Sequence, residues 1–245
     1  MNRLLLVSGL CLLFTLVDSI QLNGQRRWWA GNISGSGPVV EQSLDLASFE
    51  KVSLGVSANL YISQGSTQSI TIKGQQNIID NIISKVEDNT WKIRFDQPVR
   101  RSGELKIYVT LPKLSAMRVS GSGNVYGEGV FDQSSTFYTG ISGSGNMKLV
   151  VQAQEVVSKV SGSGNIALDG EAETYEVQIS GSGNVRAEDL QATKCQVRIS
   201  GSGSAEVDVA DALEVRISGS GDVYYEGRPK INSRISGSGD LRARD

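Results

Sequence analysis

The sequence predicts an all-β protein, a parallel β-helix (β-solenoid) with about 18–22 residues in each coil. Two observations support this fold class. A Ser-Gly-Ser-Gly tetrapeptide recurs at nearly constant spacing through the second half of the 245-residue chain, and apolar and polar residues alternate on both sides of each copy. A right-handed helix is expected, because crossover connections between parallel strands are almost always right-handed.

Seven copies of the tetrapeptide form one array, with spacings of 22, 19, 19, 20, 18 and 18 residues. A period of this length is typical of solenoids, in which each repeat supplies one coil. A flexible Gly/Ser linker is the alternative, but a linker would not keep an apolar residue directly before every copy, as this array does. The copies begin at Ser120, Ser142, Ser161, Ser180, Ser200, Ser218 and Ser236, and an eighth copy at Ser34 lies outside the array.

Residue parity indicates how each coil is built. Near the copy at Ser200, apolar residues such as Val197 and Ile199 occupy odd positions, and polar residues such as Arg198 occupy even ones. This alternation indicates β-strands with one buried and one solvated face. Both glycines of each copy share the apolar parity. We therefore expect both to point inward, where a missing side chain permits tight bending or close approach of the backbone.

Residues 38–112 lack the repeat but are also strand-rich, and they are predicted to form the first coils and an N-terminal cap ahead of the SGSG-repeat β-helix, residues 113–245. A cap would hide the open sheet edge. Within this region Ile78, Ile82, Val86 and their apolar neighbours follow a helical spacing, which predicts one short amphipathic helix of two or three turns. At the other end, the charged residues Arg242, Arg244 and Asp245 closely follow the last copy. Either these charges protect the edge, or two molecules pack end to end as a homo-oligomer.

Residues 1–19 have the features of a signal peptide. The apolar run from Leu4 to Val17 is too short to span a bilayer, and small residues precede the expected cleavage after Ser19. Residues 20–37 would then be an N-terminal segment. We expect an exported protein, periplasmic, on the outer surface or secreted, with no transmembrane segment after cleavage. Cys11 is a poor lipid-attachment site because Leu10 precedes it. Cys195 is predicted to fill core space.

The composition excludes several classes of chemistry. The chain contains no histidine, which removes Ser-His-Asp and Cys-His catalysis and imidazole-ligated metals. Its 24 basic and 26 acidic residues give a net charge of −2, which does not indicate a nucleic-acid partner. We therefore predict no catalytic residue, no metal ligand and no cofactor.

The residue after each tetrapeptide is polar in every copy. If the coils stack in register, these side chains would form a ladder whose members bond to one another or to their own turn backbone. A calcium site is the alternative, although Asp occupies only two of the seven positions. The residues are Asn124, Asn146, Asn165, Asn184, Ser204, Asp222 and Asp240.

Two charged stripes share the outward parity. Each could be a solvated face that discourages edge aggregation or an extended surface for a charged polymer. The basic stripe, two residues before each copy, comprises Arg118, Lys159, Arg198, Arg216 and Arg234, interrupted by Gly140 and Gln178. The acidic stripe, four residues after the ladder position, comprises Glu128, Asp169, Glu188, Asp208 and Glu226, interrupted by Val150 and Arg244.

Trp28-Trp29 lies beside Arg26-Arg27, just after the expected cleavage site. The two tryptophans either pack on the cap or form an exposed patch that contacts sugar or membrane.

A set of short segments distinguishes this chain: Phe49-Glu50-Lys51-Val52, Gly55-Val56, Ile62-Ser63-Gln64-Gly65 and the repeated Ser-Gly-Ser-Gly-Asn/Asp. In these segments the chain resembles the head GIN domain family, whose members are described as auto-transporter adhesins of bacteria. The resemblance covers roughly Gly31 to Asp245. It implies a β-helix related in shape to pectin-lyase-like proteins, without a catalytic set, and a role in adhesion.

The expected function is that of a non-enzymatic exported β-helix protein, a cell-surface or periplasmic adhesion module that binds a polysaccharide or a surface protein. The alternative is a polysaccharide lyase or hydrolase on the same scaffold. Such enzymes need carboxylates clustered in a groove. The candidate pairs would be Asp208 with Asp211 and Glu188 with Asp189.

Overall fold

The computed structural model describes residues 33–244, which form an all-β solenoid with one short helix and so confirm the predicted fold class. The predicted signal peptide, Cys11 and Trp28-Trp29 lie outside the described residues. Within residues 33–244, no helix is long and apolar enough to cross a membrane.

Ten elements precede the repeat array. They are β1 (Ile33–Ser34), β2 (Val39–Ser43), β3 (Lys51–Leu54), β4 (Asn59–Gln64), β5 (Ser69–Gln75), α1 (Gln76–Ile79), β6 (Val86–Glu87), β7 (Thr90–Ile93), β8 (Val99–Arg101) and β9 (Lys106–Leu111). The array itself contains β10 (Ala116–Gly121), β11 (Asn124–Gly143), β12 (Asn146–Gly162), β13 (Asn165–Gly181), β14 (Asn184–Gly201), β15 (Ser204–Gly219), β16 (Asp222–Glu226), β17 (Lys230–Gly237) and β18 (Leu241–Ala243).

Successive coils stack with their strands parallel and in register. Ser142, Ser161 and Ser180 lie side by side in three consecutive coils, as the constant spacing predicts. From β11 to β15 each coil runs as one long bent strand that is interrupted only at the tetrapeptide. Since hydrogen-bonded strands lie about 4.8 Å apart, each coil advances the solenoid by about that distance.

The inward-facing side chains of all coils merge into one apolar core. Ile179, Val197 and Ile217 are buried, and so is Cys195, as predicted. The core extends from the cap strands through the array. No single coil could bury these side chains alone, so the stacking of neighbours is what stabilises each coil.

The two glycines of each tetrapeptide differ, which corrects the expectation that both point inward. Gly183, the second glycine of its copy, is buried, and a Cβ there would lie 2.4 Å from the carbonyl oxygen of Gly164 in the preceding coil. Gly181, the first glycine, is only half-buried and has φ of 122°. The first glycine therefore turns the chain, and both glycines allow adjacent coils to approach, since a Cβ at Gly181 would lie 2.6 Å from the carbonyl oxygen of Gly162.

The region before the array caps the solenoid with antiparallel strands. β9 pairs parallel with β4 and antiparallel with β5, and β2 closes that edge by pairing antiparallel with β5. On the neighbouring sheet β7 pairs parallel with β3, and β6 pairs antiparallel with β7. At the opposite end β17 is exposed along its whole length. End-to-end packing of two molecules there stays a prediction.

The helix is shorter than predicted, because α1 covers only Gln76–Ile79. Beyond it, the Asn81 side chain donates to the Gln97 carbonyl oxygen at 2.8 Å and accepts from the Gln97 backbone N–H at 2.9 Å. The Ile83 N–H donates to the Arg94 carbonyl oxygen at 2.9 Å. Val86 lies in β6. Tertiary hydrogen bonds thus replace helical ones in a stretch whose isoleucines and asparagines have only modest helix propensity.

Candidate functional site

A groove of about 1170 Å³ runs along one sheet of the solenoid, across the stack of coils. We call it the basic groove. Two rows of outward-facing residues line it. The serine row comprises Ser120, Ser142, Ser161, Ser180, Ser200, Ser218 and Ser236, and the basic row comprises Arg118, Gly140, Lys159, Gln178, Arg198, Arg216 and Arg234.

The repeat builds this groove directly. Residues two apart on a strand face the same side, so the residue before each inward Ile or Val and the serine after it both point outward. The parallel register then aligns equivalent residues: Arg198 lies beside Arg216, and Arg216 beside Arg234. The structure therefore brings the predicted basic stripe together as one continuous row.

Acidic neighbours neutralise part of the basic row. Arg198 pairs with Glu176 at 3.1 Å and Arg216 with Glu214 at 2.8 Å. Both glutamates belong to a third row on the same sheet, two residues before the basic row, which we call the flanking row. Its members are Ala116, Tyr138, Val157, Glu176, Gln196, Glu214 and Asn232.

The other basic residues keep their charge free of such partners. No carboxylate of residues 33–244 lies within ion-pair distance of Arg118, Lys159 or Arg234. Glu176 is also occupied by the Gln178 side chain, which donates to it at 2.6 Å. The basic groove thus differs along its length. Arg118 and Lys159 flank Gly140 without carboxylate partners, Arg198 and Arg216 are ion-paired, and Arg234 at the far end is again unpaired among residues 33–244.

The face of the solenoid formed by β4 and the first residues of β11 to β15, which we call the second sheet, carries the predicted polar ladder. Side-chain hydrogen bonds confirm the ladder from Asn124 to Ser204. The Asn146 side-chain amide donates to Asn124 Oδ1 at 2.9 Å, Asn165 donates to Asn146 at 2.9 Å, and Asn184 donates to Asn165 at 2.9 Å. The ladder extends beyond the array, because Asn124 donates to Asn59 at 3.1 Å. Each of these amide oxygens already accepts a hydrogen bond, so the ladder supports the structural interpretation over the calcium site.

The acidic stripe is not one aligned row, which corrects its count from the sequence. β-bulges shift the register near Glu128 and near Glu188, so that Val150 lies beside Val130 and Asp189, not Glu188, lies beside Asp169. The tetrapeptide spacings of 22 and 20 residues reveal extra residues in these two coils, but counting from the tetrapeptide does not show where in the coil the bulge falls. Asp208 and Glu226 do align.

Neither candidate carboxylate pair lies in the basic groove. Asp208 is half-buried on β15 and Asp211 is exposed near it. Glu188 and Asp189 lie in the bulge between Ala187 and Gln191. Among the described residues that line the basic groove there is no Asp or Glu.

The sequence analysis missed an aromatic stack on the second sheet. The ring centroids of Tyr61 and Tyr108 are 5.0 Å apart, and those of Tyr61 and Tyr126 are 5.4 Å apart. A signal existed, because Tyr61 and Tyr126 each stand two residues after a ladder asparagine, Asn59 and Asn124. The repeat could not predict that Tyr108 joins this aromatic stack, since Tyr108 lies on the cap strand β9, which pairs with β4.

A small polar cluster lies inside the core. The Tyr175 hydroxyl donates to Ser158 Oγ at 3.1 Å, and Ser158 Oγ lies 2.8 Å from Thr139 Oγ1. Burial raises the pKa of the Tyr175 phenol and of the Cys195 thiol, because a charged form would be stripped of water. Cys195 is therefore an unreactive core thiol and not a nucleophile.

Comparison with solved structures identifies the same solenoid elsewhere. An adhesin structure from Bacteroides fragilis NCTC 9343, described as "putative", is 25% identical, matches 87% of this chain and all of its own, and has a TM-score of 0.82. A "putative lipid binding protein" from Parabacteroides distasonis ATCC 8503 is 22% identical over 87% of this chain and all of its own, with a TM-score of 0.71. At that identity the second comparison shows the fold alone.

Comparison with family models gives the wider relationship. No curated protein matches the chain at a significant level. Residues 48–229, from the cap to the penultimate coil, match the model described as "Putative auto-transporter adhesin, head GIN domain". This match includes most of the basic groove and the whole asparagine ladder. The chain therefore belongs to the head GIN domain family.

Proposed function

We propose that this protein is a non-enzymatic adhesion module, exported to the periplasm or cell surface, that holds an extended polysaccharide along the basic groove. The observation that carries the proposal is the groove itself: it crosses the coils continuously and presents a serine and a basic-row position at each one. The adhesin description of the family and of the Bacteroides fragilis structure supports the same function.

The repeat suits a polymeric ligand for a physical reason. Equivalent groups recur about every 4.8 Å along the solenoid, so a chain of similar units can make the same contact many times. Each exposed contact is weak, but contacts made within one bound polymer add through effective concentration. The rows lie on a rigid sheet, which lowers the entropy cost of ordering the site on binding.

The groove supports binding better than polysaccharide hydrolysis, the alternative function. Glycoside hydrolases usually place two carboxylates on either side of the scissile bond. The nearest acidic residues of the groove's sheet, Glu176 and Glu214, lie in the flanking row and are ion-paired with arginines. Both glutamates are therefore already engaged by arginines, and neither is among the residues that line the groove.

Affinity electrophoresis tests the proposal. The mature chain is run through gels that each contain one polysaccharide, and the polymer is recovered and sized afterwards. Ser180→Trp places a bulky ring in the middle of the serine row, and Ser135→Trp is the matched control at an exposed serine outside the groove. We expect retardation in at least one gel, its loss in Ser180→Trp alone, and an intact polymer.

Two results would contradict the proposal. Equal retardation of the two tryptophan variants would place the ligand away from the basic groove. A shortened polymer would favour the lyase or hydrolase alternative over a binding module.

A further inference from the structure

We infer that the end of the basic groove around Gly140 is a subsite for an acidic sugar unit, so that the polymer held there is a carboxylated polysaccharide. This inference rests on the proposed function and names the ligand class for the same groove. The subsite is formed by Arg118, Tyr138, Gly140, Ser142 and Lys159. We call it the acidic-sugar subsite.

Gly140 makes a notch in the basic row. It lies directly between Arg118 and Lys159 in the parallel register, so the row has no side chain at that coil. The fold does not require this glycine. A Cβ at position 140 would meet Arg118 Cγ at 3.6 Å and the Lys159 carbonyl oxygen at 3.7 Å, which are ordinary contacts. Gly183 of the tetrapeptide is different, because a Cβ there would lie 2.4 Å from the carbonyl oxygen of Gly164 in the neighbouring coil.

The notch lies between two unneutralised cations. Arg118 and Lys159 are two coils apart, about 10 Å along the solenoid, and neither pairs with a carboxylate of residues 33–244. Their flexible side chains can both reach an anion seated over Gly140. Further along the groove, Glu176 and Glu214 already supply the anions for Arg198 and Arg216, and the unpaired Arg234 lies beside Arg216 with no notch next to it.

The wall of the notch is apolar, which indicates a ligand that has an apolar surface as well as a negative charge. The flanking row here reads Ala116, Tyr138 and Val157, in place of the glutamates found further along. Ala116 and Val157 are buried, whereas Tyr138 is 44% exposed. An exposed tyrosine offers an apolar ring for the C–H face of a sugar and a hydroxyl for its polar edge.

The serine row supplies the remaining chemistry. Ser142 stands on the other side of the notch from Tyr138, with Ser120 and Ser161 in the adjacent coils. Hydroxyls can both donate and accept, as ring hydroxyls require. The coil spacing of about 4.8 Å is close to the length that one sugar unit adds to an extended chain. The subsite therefore combines cations, an aromatic wall and hydroxyls at sugar spacing.

Titration of the full mature chain with three polymers tests the inference: polygalacturonate, its methyl ester and inorganic polyphosphate. We expect the free acid to bind most tightly, because the ester lacks the carboxylate and polyphosphate lacks the sugar. The Arg118→Gln/Lys159→Gln variant should lose about tenfold in affinity for polygalacturonate, as two exposed charge contacts are removed. Gly140→Leu, which fills the notch and keeps both charges, should lose affinity comparably.

The matched control is Lys148→Gln/Arg186→Gln, which removes the same net charge from outward positions on the second sheet. It should keep affinity within twofold, and thermal unfolding should show all variants folded. Equal losses in the test and control pairs would overturn the inference, as would polyphosphate or methyl-ester binding as tight as that of the free acid.

The same experiment separates this inference from the proposed function. If a neutral or esterified polymer binds best and Ser180→Trp abolishes its binding, the groove binds a polysaccharide and the acidic-sugar subsite is wrong. If Ser180→Trp changes the binding of none of the polymers, the proposed function fails as well.

Discussion

Replacing Gly181 by alanine should strongly destabilise the solenoid. Gly181 has φ of 122°, a conformation that L-residues with a Cβ rarely adopt. A Cβ at this position would lie 2.6 Å from the carbonyl oxygen of Gly162 in the preceding coil. That oxygen belongs to the backbone of a stacked strand, so it cannot rotate away as a side chain could.

The magnitude follows from the two effects. Holding alanine in a sparsely populated backbone region costs about 1–3 kcal/mol, and forcing an atom into a packed site costs about 1–3 kcal/mol more. We therefore expect Gly181→Ala to lower the free energy of unfolding by about 4 kcal/mol. Partial relaxation of the coil would reduce this value but not remove it.

The matched control is Gly140→Ala on the same sheet. Gly140 has no positive φ, and its added Cβ would make only ordinary contacts. Alanine has fewer accessible backbone conformations than glycine in the unfolded chain. Gly140→Ala should therefore leave the free energy of unfolding unchanged or raise it by about 0.5 kcal/mol. Urea unfolding followed by circular dichroism measures both variants. A difference between them of less than about 1 kcal/mol would refute the reasoning from stacked glycine backbones.

Two further predictions concern the ladder and the core. Asn165→Ala removes one donor and one acceptor from the asparagine ladder and should lower the free energy of unfolding by about 1–2 kcal/mol. Urea unfolding measures this, with Asn232→Ala as the control at an exposed position outside the ladder. Equal destabilisation by the two substitutions would contradict the prediction. Because burial raises the pKa of Cys195 in the folded state, its stabilising effect is complete below the ordinary thiol pKa of 9.0 and is lost as pH rises above it. Unfolding measured between about pH 8 and 10 should therefore show a steeper loss of stability for the native chain than for Cys195→Val, and parallel curves would show that the thiol does not contribute.

Much of the fold could be predicted because equal spacing and equal parity have a direct geometric meaning in a parallel solenoid. The constant period places Ser142, Ser161 and Ser180 side by side, and the alternation assigns Ile179 and Val197 to the core. The same reasoning gave the asparagine ladder and the basic row. The helix was overestimated, since its helical spacing competes with hydrogen bonds from Asn81 and Ile83 to residues that are distant in sequence.

The site was only half predictable. The period indicates that Arg118, Lys159, Arg198 and Arg216 form one row, but not which of them remain free. That depends on Glu176 reaching Arg198 in the next coil while also accepting a hydrogen bond from the Gln178 side chain. The acidic stripe failed for a related reason. The longer spacings of 22 and 20 residues show that two coils hold extra residues, but only the strand register shows that the bulges fall beside Glu128 and Glu188.

The sequence by itself determined the coil: its length, its buried face and the residue types that recur at each outward position. Only the tertiary structure decided which coils pair their charges, where the register slips, and where the Gly140 notch meets the Tyr138 ring. The physical reason is that a periodic sequence shows which residues occupy the same position in successive coils. Charge pairs, bulges and clefts arise instead from the differences between one coil and the next.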